Sequence, residues 1–258
     1  MYLRAVHAEG CISVLQQFIR DNPLGILTTA IKSSSHPLIQ SSHIPFVLDV
    51  PDTSDGTPSN GILRGHLAKQ NPQAKVLMEA LAAQHAQGQS SLDLPDEVLV
   101  LFNGPHHHYV TPKFYTETKP ATGKVVPTWN YSAVQAYGKI RVFCDSKSDE
   151  TGSFLQHQVT DLTQQSESRI MGYTGGEAPT PWAVSDSPTS YVDLLKKNII
   201  GIEITIDRLQ GKFKMSQEMG LGDREGVISG FSQLGTETGD GMAQCVKERG
   251  RMKDQKAS

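Results

Sequence analysis

The clearest pattern along the chain is a strict two-residue alternation in "IIGIEITIDRL", residues 199–209, where isoleucines alternate with glycine or polar residues. Because successive side chains of a strand point to opposite faces, this pattern predicts a strand with one buried face. Short apolar or alternating runs between Pro/Gly-rich turns predict further strands. These runs are "LGILTTAI", "SSHIPFVLDV", "GILRGHL", "VLVLFNGP" and both ends of "KVVPTWNYSAVQAYGKIRVFC".

Helical spacing predicts an opening amphipathic helix in "CISVLQQFIRDN", which Pro23 ends. Asn71 and Pro72 suit the cap and first position of a second helix that runs through the following alanines. Later helices are predicted in "SKSDETGSFLQHQVTDLTQQSE", "SPTSYVDLLKKN" and "DREGVISGFSQL", followed by a polar, solvated helical tail over 235–258. Polar loops are predicted at 51–60, 84–97 and 116–124.

The order of these elements predicts a mainly β protein with added helices, an α+β fold. Short turns between consecutive strands favour an antiparallel sheet, and about six strands suit closure into a barrel. The chain has no regular βαβ alternation, which disfavours a doubly wound parallel sheet. We expect one domain over residues 1–258, of which 235–258 is the helical tail.

Composition restricts the function classes. The net charge of −3 and pI near 6.3 argue against a strongly cationic nucleic-acid binder. The three cysteines, Cys11, Cys144 and Cys245, lie far apart without C-x-x-C spacing, which favours a reducing compartment and offers no zinc site. No apolar run has the length needed to cross a bilayer, so we expect a cytoplasmic protein, with the nucleus as the alternative.

A basic strand end is the first candidate site. In "LRGHLAKQNPQ", Arg64 and His66 would point to the same side of a strand, and Lys69 precedes the amino terminus of the predicted second helix. Helix N-termini and nearby cations favour anions, so these residues could hold one phosphate. On spacing alone, a solvated basic strand end is the better interpretation.

Two other polar clusters could border a ligand. In "PTWNY", Trp129 and Tyr131 flank Asn130, whose amide offers one donor and one acceptor beside a flat ring. From this segment alone, two core aromatics near a bend are the better interpretation. In "SSHIPF", Ser42 and His43 enter an apolar strand, where they could hold a ligand edge or serve only the structure.

The sequence "PHHHY" offers little for a metal, because only His106 and His108 could converge on one face of a strand and no carboxylate accompanies them. Motifs of serine hydrolases, dinucleotide-binding proteins and P-loop proteins are missing. We assign no metal and no catalytic residue.

Taken in order, these motifs resemble one family. The segments "SSHIPFVLD", "LRGHLAKQNPQ", "KVVPTWNYSAVQAYGKIRV", "PWAVSD" and "IIGIEITIDRLQGKFKMSQ", with others between them, are similar to PaiB-type proteins, described as FMN-binding negative transcriptional regulators. The resemblance extends from residue 1 to about residue 234. Its most specific parts are "GHLAKQNP", "VPTWNY" and "GKFKMSQ".

This resemblance implies an antiparallel, Greek-key split β-barrel like that of pyridoxamine-phosphate oxidases and flavin reductases, with helical C-terminal additions. It implies a homodimer that holds FMN between subunits, with haem as a less favoured ligand. The alternative function is a flavin-dependent oxidoreductase, either a flavin reductase or a haem-degrading enzyme. Direct DNA binding is disfavoured because no helix-turn-helix signature is present. The residues implied for the cofactor are Arg64, His66, Lys69, Ser42, His43, Trp129, Asn130 and Tyr131.

The chain departs from compact members of that family at several places. The three polar loops at 51–60, 84–97 and 116–124 resemble insertions, and His107 stands where a smaller residue is expected. We expect these departures to alter access to the cleft or the preferred ligand.

Overall fold

The computed structural model describes residues 1–52, 56 and 58–257, so part of the loop predicted at 51–60 lies outside the described residues. The described part contains nine strands and seven α-helices. The strands are β1 (Ala8–Glu9), β2 (Leu24–Ala30), β3 (Ile39–Pro45), β4 (Val47–Asp49), β5 (Ile62–Ala68), β6 (Asp93–Asn103), β7 (His108–Val110), β8 (Thr128–Phe143) and β9 (Ile199–Lys214). The helices are α1 (Ile12–Asp21), α2 (Pro72–Ala86), α3 (Thr118–Thr122), α4 (Asp149–Gln165), α5 (Thr189–Lys196), α6 (Leu221–Ser232) and α7 (Glu237–Ala257).

The chain divides into two compact units. We call one the barrel unit, formed by Ile19–Phe102 and Ala136–Leu209. The other, formed by Met1–Phe18, Asn103–Gln135 and Gln210–Ser258, contains both termini and is called the terminal unit.

The barrel unit is a closed six-stranded barrel. Its strands follow the order β3-β2-β6-β8-β9-β5-β4, and β3 pairs antiparallel with β2 while β4 pairs antiparallel with β5. Since only Phe46 separates β3 from β4, these two form one bent strand that joins both ends of the sheet. The path places β6 beside β2, which is the Greek-key order predicted for the chain.

The barrel interior follows the predicted alternation. Ile200, Ile202 and Ile204 of β9 are fully buried, as the two-residue period requires. Phe46 fills the point where the bent strand turns. A Cβ added at Gly25 or Gly65 would come within about 3.1 Å of the Phe46 ring, so glycine is needed for this close packing.

In the terminal unit, β7 pairs antiparallel with the first residues of β8, and β1 pairs antiparallel with the last residues of β9. Helices α6 and α7 pack together through a hydrophobic cluster. The helix predicted as a solvated tail therefore has one buried face, because Met242 and Val246, four residues apart, are completely inaccessible to solvent. Its high charge obscured this narrow apolar stripe.

Two predicted loops contain regular structure. Strand β6 begins at Asp93, inside the loop predicted over 84–97, and Leu94 is buried at its start. The loop predicted over 116–124 contains the short helix α3, and Gly123 caps its carboxyl end in a left-handed conformation with φ 66°. None of the described helices is long and apolar enough to span a membrane.

Candidate functional site

The first cluster of predicted residues lies at a corner of the barrel unit, where β5 leads into α2. Asn71 caps α2 as predicted, because its Oδ1 accepts a hydrogen bond from the Gln73 backbone N–H at 2.8 Å. Its Nδ2 donates to the Ser42 hydroxyl at 3.0 Å. This bond brings Ser42 of β3 to the amino terminus of α2, and we call this region the capped corner.

A buried glutamine fixes the capped corner to the sheet. Gln73 donates through Nε2 to the Leu27 carbonyl, the Thr29 hydroxyl and the Gln40 carbonyl, at 3.2, 3.0 and 3.2 Å. Within the described residues, the buried Nε2 of Gln40 and Oε1 of Gln73 have no hydrogen-bond partner. Buried polar groups are nearly always satisfied, so these two atoms retain unused capacity to donate and to accept a hydrogen bond.

Lys69 supplies positive charge beside this corner. Its backbone N–H donates to the Asn198 carbonyl at 2.9 Å, which fixes the chain where β5 ends. None of the ion pairs found in the described part of the chain involves its ammonium group. Burial raises the pKa of the Cys144 thiol, and the positive charge of Lys69 opposes that rise.

Arg64 is held by two carboxylates. Its guanidinium donates to both oxygens of Asp49, and Nη2 also donates to Asp161 Oδ2 at 2.7 Å. These pairs, chiefly the hydrogen bond with Asp49, raise the pKa of Arg64. Five residues of extended chain separate Arg64 from Lys69, roughly 16 Å. The prediction that both cations contact one phosphate stays a prediction, and a phosphate at Arg64 would compete with two aspartates.

His66 shares the outward face of β5 with Arg64, as the strand alternation predicts. Burial lowers the pKa of its imidazole, so the neutral form is favoured. Its Nδ1 is buried without a hydrogen-bond partner among the described residues. A neutral ring could donate or accept one hydrogen bond there but would add no charge.

Ser42 and His43 lie on opposite faces of β3. Ser42 is directed to Asn71, whereas His43 is exposed on the outer face, paired across the ladder with Ile26. On that outer face Ser41 and Thr28 share a hydroxyl–hydroxyl hydrogen bond of 2.9 Å.

The remaining predicted residues lie in the terminal unit, where Trp129 is exposed rather than part of a core. Its side chain is 55% exposed, and the ring of its cross-strand partner Tyr109 lies edge-on at 6.2 Å between centroids. Exposed aromatic rings of this size are available to a planar ligand. The interpretation of Trp129 as a core aromatic was wrong.

Asn130 faces inward and is fully buried. Its Nδ2 donates to the Ser216 hydroxyl at 2.9 Å, and Ser216 adopts φ 57°, a left-handed conformation rare for non-glycine residues. Asn130 therefore positions the backbone that follows β9.

Two lysines of β9 lie beside Trp129 and the half-buried Tyr131, and sequence reasoning did not single them out. The Lys212 ammonium lies 5.2 Å from the centroid of the Tyr131 ring. Lys214 donates to the Thr128 hydroxyl at 2.6 Å and to the Trp129 carbonyl at 2.9 Å, and burial lowers its pKa. The signal was present in "GKFKMSQ", where lysines two residues apart share one face of a strand.

Two histidines of "PHHHY", His106 and His108, are used in packing. The ring of His106 lies against Gly241, where an added Cβ would come within 2.4 Å of it, and His108 packs edge-on against Phe231. Across the described residues, no group of three or more potential metal ligands of the His, Cys, Asp or Glu type was found.

The donors of the capped corner are of the chemical kind that the phosphate or ribityl end of FMN accepts hydrogen bonds from. They comprise the Lys69 ammonium, the unpartnered Gln40 amide and the Ser42 hydroxyl. Phosphate oxygens accept hydrogen bonds and are favoured near helix N-termini.

Comparison with known proteins supplies relatives along nearly the whole chain. An uncharacterized protein of Emericella nidulans is 75% identical over 256 residues, covering 99% of this chain and all of that protein. The protease synthase and sporulation protein PAI 2 of Bacillus subtilis is 23% identical over 248 residues, covering 96% of this chain and 95% of that protein. The predicted PaiB-type resemblance is thereby confirmed.

Among solved structures, a conserved hypothetical protein from Mycobacterium tuberculosis is similar with a TM-score of 0.45 and 13% identity. The match covers 85% of this chain and 94% of that chain. The family model FMN_bind_2, described as "Putative FMN-binding domain", matches residues 1–208. FMN is the cofactor of that description, as the resemblance implied, and the chain belongs to the FMN_bind_2 family.

Proposed function

We propose that the protein is a cytoplasmic, homodimeric flavin-binding regulator that holds the phosphate of FMN at the capped corner. The observation that carries this proposal is the set of uncommitted donors around the capped amino terminus of α2, inside the segment matched by the FMN-binding family. The resemblance to PaiB-type proteins, described as regulators, and the relative named protease synthase and sporulation protein PAI 2 support the regulatory part of the proposal.

At the corner, each group has a separate task. Lys69 neutralises phosphate charge, while Ser42 and the buried Gln40 amide donate neutral hydrogen bonds. Asn71 and Gln73 keep these groups in place through their bonds to β3 and β2. Bound FMN would supply its own redox chemistry, and the protein would bind and orient it.

The other predicted site residues keep distinct places in the proposal. His66 supplies a neutral hydrogen bond, and Arg64 anchors α4 through Asp161 while remaining a candidate phosphate ligand. His43, exposed on β3, is a candidate for the ribityl chain or the ring edge. Trp129, Asn130 and Tyr131 belong to the terminal unit, so we do not assign them to the capped corner, and their contact with FMN stays a prediction.

The test compares FMN with riboflavin, which lacks the phosphate. In Lys69→Met, the dissociation constant for FMN should rise about tenfold or more, the loss expected for one charged hydrogen bond. Riboflavin affinity should stay within about twofold. Lys75→Met, on the exposed face of α2, is the matched control and should leave both affinities unchanged.

Equal weakening of FMN and riboflavin by Lys69→Met would contradict the phosphate assignment. A protein that bound neither flavin, with its fold intact by circular dichroism, would contradict the proposed function as a whole.

We place the regulatory role at a partner protein or metabolite rather than at DNA. The net charge of −3 disfavours binding to the polyanionic DNA backbone. A mobility-shift assay with duplex DNA at low salt should show no retardation. A salt-sensitive shift by the FMN-loaded protein would instead support direct repression.

A further inference from the structure

Four aromatic and two lysine side chains share one surface of the terminal unit. Strands β7, β8, β9 and β1 lie side by side there, and Trp129 and Tyr131 are two residues apart on one face of β8. Tyr109 stands opposite Trp129, and Tyr2 lies above Lys212. We call this surface the aromatic–lysine face; its members are Tyr2, Tyr109, Trp129, Tyr131, Lys212 and Lys214.

Lys212 is the unusual member of this face. Its side chain is only 9% exposed, and its ammonium lies between two rings, 5.2 Å from the centroid of Tyr131 and 5.9 Å from that of Tyr2. No carboxylate pairs with it in the part of the chain that the structure describes. A lysine buried to this degree is ordinarily paired with a carboxylate, so an ammonium whose observed contacts are aromatic rings favours an incoming anion.

Lys214 adds a second cation to the same face. It donates only to a hydroxyl and a carbonyl, neither of which neutralises its charge. Arg4 and Lys212 lie close enough to repel it electrostatically, and Glu218 attracts it. The Glu218 carboxylate is itself engaged by His7 at 3.0 Å, so positive charge predominates.

The exposed rings indicate what kind of anion fits. Tyr2 is 78%, Trp129 55% and Tyr109 40% exposed, and large aromatic faces of this sort stack on planar rings. An inorganic anion would use the lysines and leave the rings in water. A planar ring that carries a phosphate uses both.

We propose that the aromatic–lysine face binds a mononucleotide, with the base stacked on Trp129 and the phosphate contacted by Lys212 and Lys214. This nucleotide is a second ligand, additional to the FMN assigned to the capped corner. The inference does not depend on that assignment, because it uses residues of the terminal unit alone.

The test uses Trp129 as its own reporter. The chain has two tryptophans, so in Trp182→Phe the emission comes from Trp129 alone. Titration with AMP should quench this emission saturably, and adenosine should bind about tenfold more weakly because it lacks the phosphate. Failure of AMP to change the emission at millimolar concentration would overturn the proposal.

Matched lysine variants in the Trp182→Phe chain identify the phosphate contacts. Lys212→Met and Lys214→Met should each weaken AMP about tenfold and leave adenosine within about twofold. Lys247→Met, an exposed lysine of α7, should change neither affinity. If Lys212→Met does not fold, Lys212→Arg, which keeps the charge, should retain AMP binding, and its loss of binding would count against the proposal.

Two further experiments distinguish a mononucleotide site on this face from the FMN site and from a site for single-stranded nucleic acid. Lys69→Met should leave the AMP titration unchanged. If that variant lost the AMP response, the aromatic–lysine face would be part of the FMN site, which would overturn the inference but not the proposed function. An oligothymidylate that bound far more tightly than AMP would overturn the assignment to a mononucleotide in favour of single-stranded nucleic acid.

Discussion

Glu203 and Arg64 lie directly opposite each other on β9 and β5, yet they do not form the pair that their positions suggest. Arg64 donates to Asp49 and Asp161 instead. Burial raises the pKa of the Glu203 carboxyl, and the positive charges of Arg141 and Arg64 only partly offset this rise. Glu203 is therefore a half-buried acid that forms no ion pair with the residues that the structure describes.

From this we predict that Glu203→Gln stabilises the protein near neutral pH. A carboxyl whose folded pKa is raised binds more protons in the folded state, so its contribution to stability is present below its ordinary value of 4.5 and is lost as pH rises through the folded pKa. The variant should match the wild type at low pH and exceed it by up to about 1 kcal/mol at neutral pH, since solvent screens this half-exposed group.

Urea denaturation of wild type and variant between about pH 4 and 8 measures this difference. Glu177→Gln, in an exposed loop, is the control and should show no such pH-dependent gain. If Glu203→Gln were less stable than the wild type at neutral pH, the charged Glu203 carboxylate would instead be stabilised by its neighbouring arginines.

The contacts of individual residues also show which features could be predicted from the sequence and which could not. The shared face of Arg64 and His66 could be predicted, because it follows from two-residue alternation alone. The pairing of Arg64 with Asp161 could not, since the two are 97 residues apart and meet only when α4 packs on the barrel. The spacing of the β9 lysines was predictable, but which groups each ammonium contacts depends on the folded chain.

At the scale of elements, the start of α2 depends on one side chain with two bonds. We predict that Asn71→Ala lowers the free energy of unfolding by about 1 to 2 kcal/mol, from loss of the cap and of the bond to Ser42. Asn71→Asp keeps the cap acceptor and should lose less than half as much. Urea denaturation measures both, and equal losses would mean that the Ser42 bond, not the cap, dominates.

Helix α7 offers a second test at this scale. Val246→Ala should destabilise the protein by roughly 2 kcal/mol, because Val246 is completely buried in the cluster formed with α6. The adjacent exposed Lys247→Ala should change stability by no more than about 0.5 kcal/mol. Similar small effects from both substitutions in thermal denaturation would support the solvated helix that the sequence predicted.

The whole barrel was predictable to a useful extent. Strand number, antiparallel pairing and closure followed from alternation and short turns, because local pattern fixes which face each strand buries. The single bent strand formed by β3 and β4 was not predictable in detail. It depends on Phe46 fitting against Gly25 and Gly65, which are distant in sequence. The division into two compact units likewise reflects contacts between distant segments that no local pattern encodes.

The outer surface of the barrel favours the predicted homodimer. On β3, Ile39 is 66% exposed at the end opposite Ala30. On β2, Leu24 is 58% exposed and shares its face with the half-buried Ile26, and the half-buried Leu99 and Leu101 lie beside them across the ladder of β2 with β6. Contiguous apolar residues of this kind are uncommon on monomers, and a second copy of the same face would cover them symmetrically.

We therefore predict that the wild type has a mass in solution of twice the 28.2 kDa of one chain. Leu24→Lys should be monomeric, because a charge buried at a two-fold interface is repeated on both subunits. Leu194→Lys, at a leucine 57% exposed on α5, controls for the loss of an apolar side chain and should stay dimeric. Size-exclusion chromatography with light scattering measures both masses. A wild type that remained monomeric at high concentration would contradict the dimer, and dissociation by Leu194→Lys alone would move the interface to α5.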